Sequence, residues 1–363
     1  MVLSFDPKLM LVARQARGLS QADLAEMLGI NQGFLSKVEN GLKEPSKDVI
    51  KRIAEALGFP ESFFFQREEI YGLPVSVHPL HRKKSSVGIR DLEVIHAELN
   101  IRIMNLKRLL QSVELCPKLP MPHLDLEDYN EDIEKIAELV RNTWLLPRGP
   151  IENLTESLER AGCLVVWCDF SNIAIDGVTL SIYKMPTIIF LNRHRPSDRM
   201  RFTLAHELGH IIMHRIPNPN METQADAFAS ALLMPYHDIK ESFALLGNRL
   251  TLEHLAYLKP IWRVSIQSLL MRGKDIRVIN KNQSDYLWKQ INYRRMRFQE
   301  PPELNFPPEE PRMLPTILKL HFDDLGYSIS DLAKALHLYE SELCKKYYIN
   351  RNPSRGRHLR VLS

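Results

Sequence analysis

Cysteine is scarce in this chain. Its four cysteines, Cys116, Cys163, Cys168 and Cys344, stand in no CxxC spacing. That excludes a disulfide scaffold and a cysteine-ligated zinc ribbon. No apolar run approaches the ~20 residues that a membrane-spanning helix needs, so no membrane is expected among the partners. The segment from Met1 to Arg17 carries Asp6, Lys8, Arg14 and Arg17 and lacks the apolar core of a signal peptide. The expectation is a cytoplasmic protein. An excess of charge is missing too. The 48 Lys and Arg against 44 Asp and Glu leave +4, too mild to announce nucleic acid by itself. Residues 1–60 hold eight basic and seven acidic side chains. Only the end of the chain is one-signed, with Lys345, Lys346, Arg351, Arg355, Arg357 and Arg360 and no acid. Such a tail can touch phosphates, although a solvated end is the simpler reading.

What is present is ordinary for a globular protein: 44% apolar and 25% charged residues over 363 positions, enough for two or three domains. Residues 7–65 read as short helices with clear stops. Ser20 can cap one, with Asp23 in the capping-box position, and Gly29 can end it in a left-handed turn. Asn31 and Ser46 can cap the next two. Residues 71–84 are irregular around Pro74 and Pro79. A helix is expected over 89–114, then others over 131–144 and 151–161. Short β-branched runs at 164–167, 179–183 and 187–191 read as strands. Helices follow at about 198–214 and 222–233. Six prolines in 301–315 read as a stiff extended connector, and a final helical pair fits 316–348. The fold class is therefore mostly α with a small β-sheet.

Residues 21–40, QADLAEMLGINQGFLSKVEN, follow the logic of a helix-turn-helix. Small Ala25 permits close crossing, Gly29 makes the tight turn, and Leu35 with Val38 form the buried face of the second helix. Gln32, Ser36, Lys37 and Asn40 are then left for base edges and phosphates. Gln21, at a helix N-terminus, is placed to grip a phosphate. A helical module whose polar face contacts protein is the bland alternative, and the near-neutral charge of the region favours neither.

Residues 201–214, RFTLAHELGHIIMH, carry the second constellation. His206 and His210, four apart on a helix, share a face and can share one Zn2+. Glu207 between them can reach water at the metal and act as general base in attack on a carbonyl. Met213 and Ile216 stand where a metzincin requires Gly and His, so that class is out. The next helix offers Glu222 as third ligand and Asp226 to accept a hydrogen bond from a ligand histidine. Ala225 and Ala229 would let the two helices approach. His214 extends the histidine stripe and reads as a neighbour of the site or a helix cap rather than as a ligand. Tyr183 is a weak candidate for stabilising an oxyanion. Residues 327–347 look like a further helix pair. Ala333 is its small crossing residue, and His337 stands where Gly is expected. Packing or dimerisation is preferred there over a second DNA reader.

The order Ser-Gln, Leu-Ala, Leu-Gly and Ser-x-x-Glu-Asn-Gly over residues 7–65 resembles the XRE (Cro/cI-type) helix-turn-helix family. RFTLAHELGHIIMH followed by METQADAFASALLMP resembles the ImmA/IrrE family of cytosolic metallopeptidases, over about 130–275. The second resemblance implies His206, His210 and Glu222 as zinc ligands and Glu207 as catalytic base. Many relatives have Asn at the position of Asp226, and Asp can still orient a histidine. Four segments are expected. They are a DNA-binding domain over 1–68, a helical linker over 69–126, a zincin-like domain over 127–245 and a helical C-terminal region with a basic tail over 246–363. The expected function is a DNA-binding regulatory zinc metallopeptidase that cleaves a protein, a transcriptional repressor, to control gene expression. Its DNA partner would be a double-stranded operator, and a homodimer is left open. The alternative is a transcriptional regulator whose zincin-like domain is a sensor or scaffold with little turnover.

Overall fold

Side-chain caps start most of the helices. In the computed structural model, which describes residues 4–72, 88–170, 175–247, 249–297 and 299–349, Asp6, Ser20, Asn31 and Ser46 each accept a backbone N–H at the head of α1 (Pro7–Ala16), α2 (Gln21–Leu28), α3 (Gln32–Glu39) and α4 (Lys47–Leu57). Each cap is worth about 1 kcal/mol. The long α5 (Ile89–Leu110) follows. Next come α6 (Ile133–Thr143), α7 (Leu154–Arg160), β1 (Leu164–Cys168), β2 (Gly177–Leu180) and β3 (Ile188–Asn192). The helices α8 (Ser197–Met213), α9 (Met221–Leu233), α10 (Tyr236–Ala244), α11 (Leu252–Trp262), α12 (Ile266–Asp275) and α13 (Lys281–Tyr293) complete the middle of the chain. The last three are α14 (Met313–Asp323), α15 (Ile329–Ala335) and α16 (Glu340–Tyr347). None of the helices is long and apolar enough to cross a membrane, among the described residues.

The chain forms two compact units. The first holds residues 4–72, 88–114 and 315–349, the second 115–314. These do not follow the cuts at 68, 126 and 245 drawn from the sequence. The reason lies in side chains of α5 and α16. Glu98 of α5 accepts from Lys346 Nζ at 2.6 and 2.7 Å and from Arg102 Nε at 2.9 Å. Arg102 also donates to the Lys346 carbonyl at 3.2 Å. Leu343 and Tyr347 bury the apolar side of α16. Of the basic end of the chain, Arg351, Arg355, Arg357 and Arg360 lie outside the described residues, as do Pro74 and Pro79 of the irregular segment.

Within the first unit, Leu24, Leu28, Leu35, Val38, Ile53 and Leu57 are buried with Leu9 and Phe63. Gly29 takes the left-handed conformation at φ 58°, and Ile30 N donates to Ala25 O at 3.0 Å, closing α2. The pair α15–α16 repeats this device. Ser328 and Asp331 form the same capping box as Ser20 and Asp23, and Leu338 N donates to Ala333 O at 2.9 Å. His337 adopts the left-handed turn at φ 52°, where glycine would sit without strain.

The second unit is built on a three-stranded sheet of order β1-β3-β2, with β1 parallel and β2 antiparallel to β3. β2 ends at Leu180, opposite Ile188, the first residue of β3. The chain beyond Leu180 turns back, so the strand expected over 179–183 is shorter and starts earlier. The helix α8 packs on β2, β3 and α9. The proline-rich stretch is pinned rather than free. Glu309 accepts from Arg201 of α8 and from Thr155 N at 2.9 Å, and Glu159 accepts from Arg312 N at 3.0 Å and Met313 N at 3.0 Å. Lys259, buried in α11, pairs with Asp198 at the start of α8 and with Glu300 at 2.8 Å. The base of α8 is therefore fixed from several sides.

Candidate metal centre and candidate nucleic-acid interface

The polar residues of α8 sit on a buried helix. His206 and Glu207 are each 4% exposed and His210 9%. Burying ionisable groups is costly unless they are paired or bind a metal. Four apart on α8, His206 and His210 turn their Nε2 atoms to face each other at 3.0 Å. From α9, Glu222 places Oε2 3.5 Å from His206 Nε2 and Oε1 3.4 Å from His210 Nε2. Asp226, one turn further along α9, lies 2.7 Å from His206 Nδ1.

The helices come this close for a local reason. Gly209 lies between His206 and His210. A Cβ there would meet Phe228 Cδ1 at 3.1 Å and the Ala225 Cα at 3.3 Å. A glycine inside a helix costs about 1 kcal/mol relative to alanine, and here that cost permits α9 to carry Glu222 to the histidines. Ala225 and Ala229, expected to permit the approach, are both fully buried. Gly209 is the residue the sequence reading passed over. Its signal was a glycine in mid-helix.

The hydrogen-bond network assigns the tautomers. A carboxylate can only accept, so His206 donates Nδ1–H to Asp226, and Nε2 is the nitrogen turned towards His210 and Glu222. His210 Nδ1 lies 2.9 Å from His214 Nδ1, and His214 Nε2 lies 3.0 Å from Gln224 Oε1. Two ring nitrogens and two carboxylate oxygens thus converge, and a proton or a cation must sit among them. In a tetrahedral zinc site with bonds of about 2.0–2.1 Å, neighbouring ligand atoms lie about 3.3 Å apart. The two Nε2 atoms stand 3.0 Å apart, and each has a different Glu222 oxygen at 3.4 or 3.5 Å, so the three side chains are near that spacing. His206, His210 and Glu222 are the group of His, Cys, Asp and Glu side chains close enough to hold a metal ion, among the described residues. Glu207 Oε2 is buried without a hydrogen-bond partner among the described residues.

The electrostatics agree with the geometry. Burial opposes a charge on His206, but its hydrogen bonds to Asp226 and Glu222 outweigh that and hold its pKa up at about 9. Burial likewise opposes ionisation of Glu222, yet the facing His206 and His210 push its carboxyl well below the usual carboxylate range. His214 behaves in the opposite way: burial pushes it down to about 4. Tyr183 is 87% exposed in the turn after β2 and pairs with Lys184 through its ring.

In the first unit the polar residues face outward. Gln32, Lys37 and Asn40 of the α3 region are exposed and Ser36 is half-buried. Asn40 caps α3 and donates Nδ2–H to Ser36 O at 2.8 Å. Gln21 is turned elsewhere. Its amide donates to Glu39 Oε2 at 2.6 Å, beside the Arg14 guanidinium, which reaches the same carboxylate at 2.6 and 3.1 Å. Gln21 thus helps lock α1, α2 and α3 together, an arrangement that depends on a residue 18 positions away and has no local signal.

A family model described as IrrE N-terminal-like domain matches residues 158–274, and a helix-turn-helix model matches residues 12–64. An uncharacterized HTH-type transcriptional regulator of Bacillus subtilis is 36% identical over 53 residues, covering 15% of this chain and 70% of the relative. Uncharacterized HTH-type transcriptional regulators from two strains of Mycobacterium tuberculosis are 39% identical over 57 residues, covering 16% of this chain. The match spans 41% of the length of those mycobacterial relatives.

Proposed function

We propose that this chain, which belongs to the XRE-type helix-turn-helix family and carries an IrrE N-terminal-like domain, is a cytoplasmic DNA-binding regulatory zinc metallopeptidase whose substrate is a partner protein, a transcriptional repressor. The observation that carries the enzymatic half is the convergence of His206, His210 and Glu222 beside the buried, unpartnered Glu207. A purely structural zinc site needs ligands and no base.

His206, His210 and Glu222 would hold the ion. When bound, it supplies Lewis acidity towards a peptide carbonyl and acidifies a neighbouring water. Glu207, adjacent to His206 and not engaged by any other side chain, accepts the proton of the attacking water and returns it to the leaving amide nitrogen. Asp226 holds His206 in the tautomer that frees Nε2. Burial of His206, Glu207 and His210 keeps bulk water from competing for Glu207. The DNA half rests on α3. Gln32 is presented for base edges, and Lys37 for phosphate. A homodimer on a palindromic operator would set the half-site spacing.

The test is Glu207→Gln in the full chain, assayed against repressors encoded beside it. The amide keeps the size and cannot accept the proton, so cleavage should fall on the order of 10²–10⁴-fold with zinc and operator binding intact. Undiminished cleavage would remove Glu207 from the role of base. A zinc-loaded wild type that cleaves none of these repressors would favour a regulator whose zincin-like domain is a scaffold or sensor.

A further inference from the structure

His214 is the C-cap residue of α8, one turn beyond His210, and neither of its ring nitrogens is free. Nδ1 lies 2.9 Å from His210 Nδ1, and Nε2 lies 3.0 Å from Gln224 Oε1. Gln224 stands on α9 between Glu222 and Asp226. The same helix therefore supplies a ligand and two terminal acceptors, Asp226 for His206 and Gln224 for the chain that ends on His210.

We propose that His214 is a positioning residue for His210: it fixes that ring in the tautomer and orientation that leave Nε2 free for the metal, through a relay anchored on Gln224. The inference rests on the metal reading given above. One proton assignment makes the relay work. A carbonyl oxygen can only accept, so His214 carries its proton on Nε2 and donates it to Gln224. Its Nδ1 is then a bare lone pair and accepts from His210 Nδ1–H. His210 Nε2 is left bare, facing His206 Nε2 and Glu222. With the Gln224 amide turned the other way, every proton in the relay would reverse, and His210 would carry its proton on Nε2, where a metal must bind. His214 itself is not a ligand in this arrangement, because both nitrogens are engaged. The two ligand histidines thus have unlike supports. The Asp226 side chain is a carboxylate and 63% exposed, whereas His214 is an imidazole and half-buried.

The experiment measures zinc affinity of the full chain by competition with a chromophoric chelator, so it needs no substrate. His214→Ala should bind zinc about 10–100-fold more weakly, the usual loss when a histidine ligand loses its hydrogen-bond partner. His214→Leu fills the volume without an acceptor and should be as weak. His214→Asn places Oδ1 where Nδ1 stood and should recover to within a few-fold of wild type. Gln224→Leu should show a smaller loss, and nitrogen-detected NMR should find the His214 proton on Nε2. A leucine variant that binds zinc like wild type, or an asparagine variant as weak as alanine, would overturn the relay. X-ray absorption showing three imidazoles on the zinc would overturn it as well, by making His214 a ligand. These failures leave the metal reading standing. A wild type that binds no zinc at all would sink both.

Discussion

Two helices of this chain carry polar residues at the same i, i+4, i+8 spacing and do opposite things with them. On α3 and its cap, Gln32, Ser36 and Asn40 lie on the outward side with Lys37 beside them. On α8 and its cap, His206, His210 and His214 lie inward, against α9. The outward set meets solvent, and the side-chain hydrogen bonds of Asn40 go to Ser36 within the stripe itself. The inward set is buried against α9, and its ring nitrogens face one another. Periodicity alone is silent on this difference. What separates the two is the neighbouring helix. α2 packs on α3, with Ala25, Leu28, Leu35 and Val38 buried, whereas α9 brings Glu222 and Asp226 to α8 as well as alanines. An outward polar stripe is satisfied by solvent, whereas an inward one has to be satisfied by the groups packed against it.

The largest expected effect breaks the inward set. His210→Ala removes one of three ligands and should reduce zinc affinity by several orders of magnitude, read by metal analysis after dialysis. Operator binding by the same variant, measured by titration, should stay within a few-fold of wild type, because no residue of α8 belongs to the first unit. Coupled loss of both would show that the two stripes are not independent.

The next effect concerns what holds the outward set in place. Glu39 is 4% exposed and accepts from both Arg14 and Gln21. Glu39→Ala leaves the Arg14 guanidinium buried without its carboxylate and should cost about 3 kcal/mol of stability in the first unit. Added zinc should not restore it. Chemical denaturation followed by loss of operator binding gives the readout.

A smaller effect is pH-dependent. Burial opposes ionisation of Glu98, but Lys346 and Arg102 outweigh it and bring its pKa from 4.5 down to about 2. A group whose folded pKa is depressed contributes stability above its unfolded value and loses it as pH falls towards the folded one. Between about pH 4.5 and 2 the first unit should lose roughly 2 kcal/mol from this group. Hydrogen exchange in α5 and α16 should rise in that window, and Glu98→Gln should flatten the dependence. An unchanged acid profile in that variant would remove Glu98 from the explanation.

The smallest effects are on the outward face itself. Gln32→Ala should weaken operator binding by about 1–3 kcal/mol with relaxed preference at one base pair, and Lys37→Ala should weaken all sequences alike and lower the salt slope by about one. Equal losses on every sequence for both variants would make Gln32 a phosphate contact.

Much of this was legible in the residues. Gly29 in a left-handed turn, the Ser20–Asp23 capping box, and the pairs His206/His210 and Glu222/Asp226 are local patterns, fixed by helix geometry over one or two turns. Their gathering into one cluster needed only that α9 pack on α8. The rest depends on contacts distant in sequence. Nothing near Gln21 signals Glu39, and nothing near Lys346 signals Glu98, 248 residues away. The proline-rich stretch reads as a connector because its composition stiffens it, while its anchoring depends on Glu309 meeting Arg201, 108 positions away. The helix pair at the end of the chain is legible as a pair, with Ala333 at its crossing and packing as its preferred role. Which unit it would join depended on the Lys346–Glu98 pair, which no local pattern announces.

The metal site proposed on the inward stripe of α8 is completed by Glu222 from α9. Its most direct measurement is the zinc content of the full chain after exhaustive dialysis, taken alongside Glu222→Ala. One tightly bound zinc per wild-type chain, lost in Glu222→Ala, is the predicted result. A wild-type chain that retains no zinc, or a Glu222→Ala chain that retains it as firmly as wild type, would contradict it.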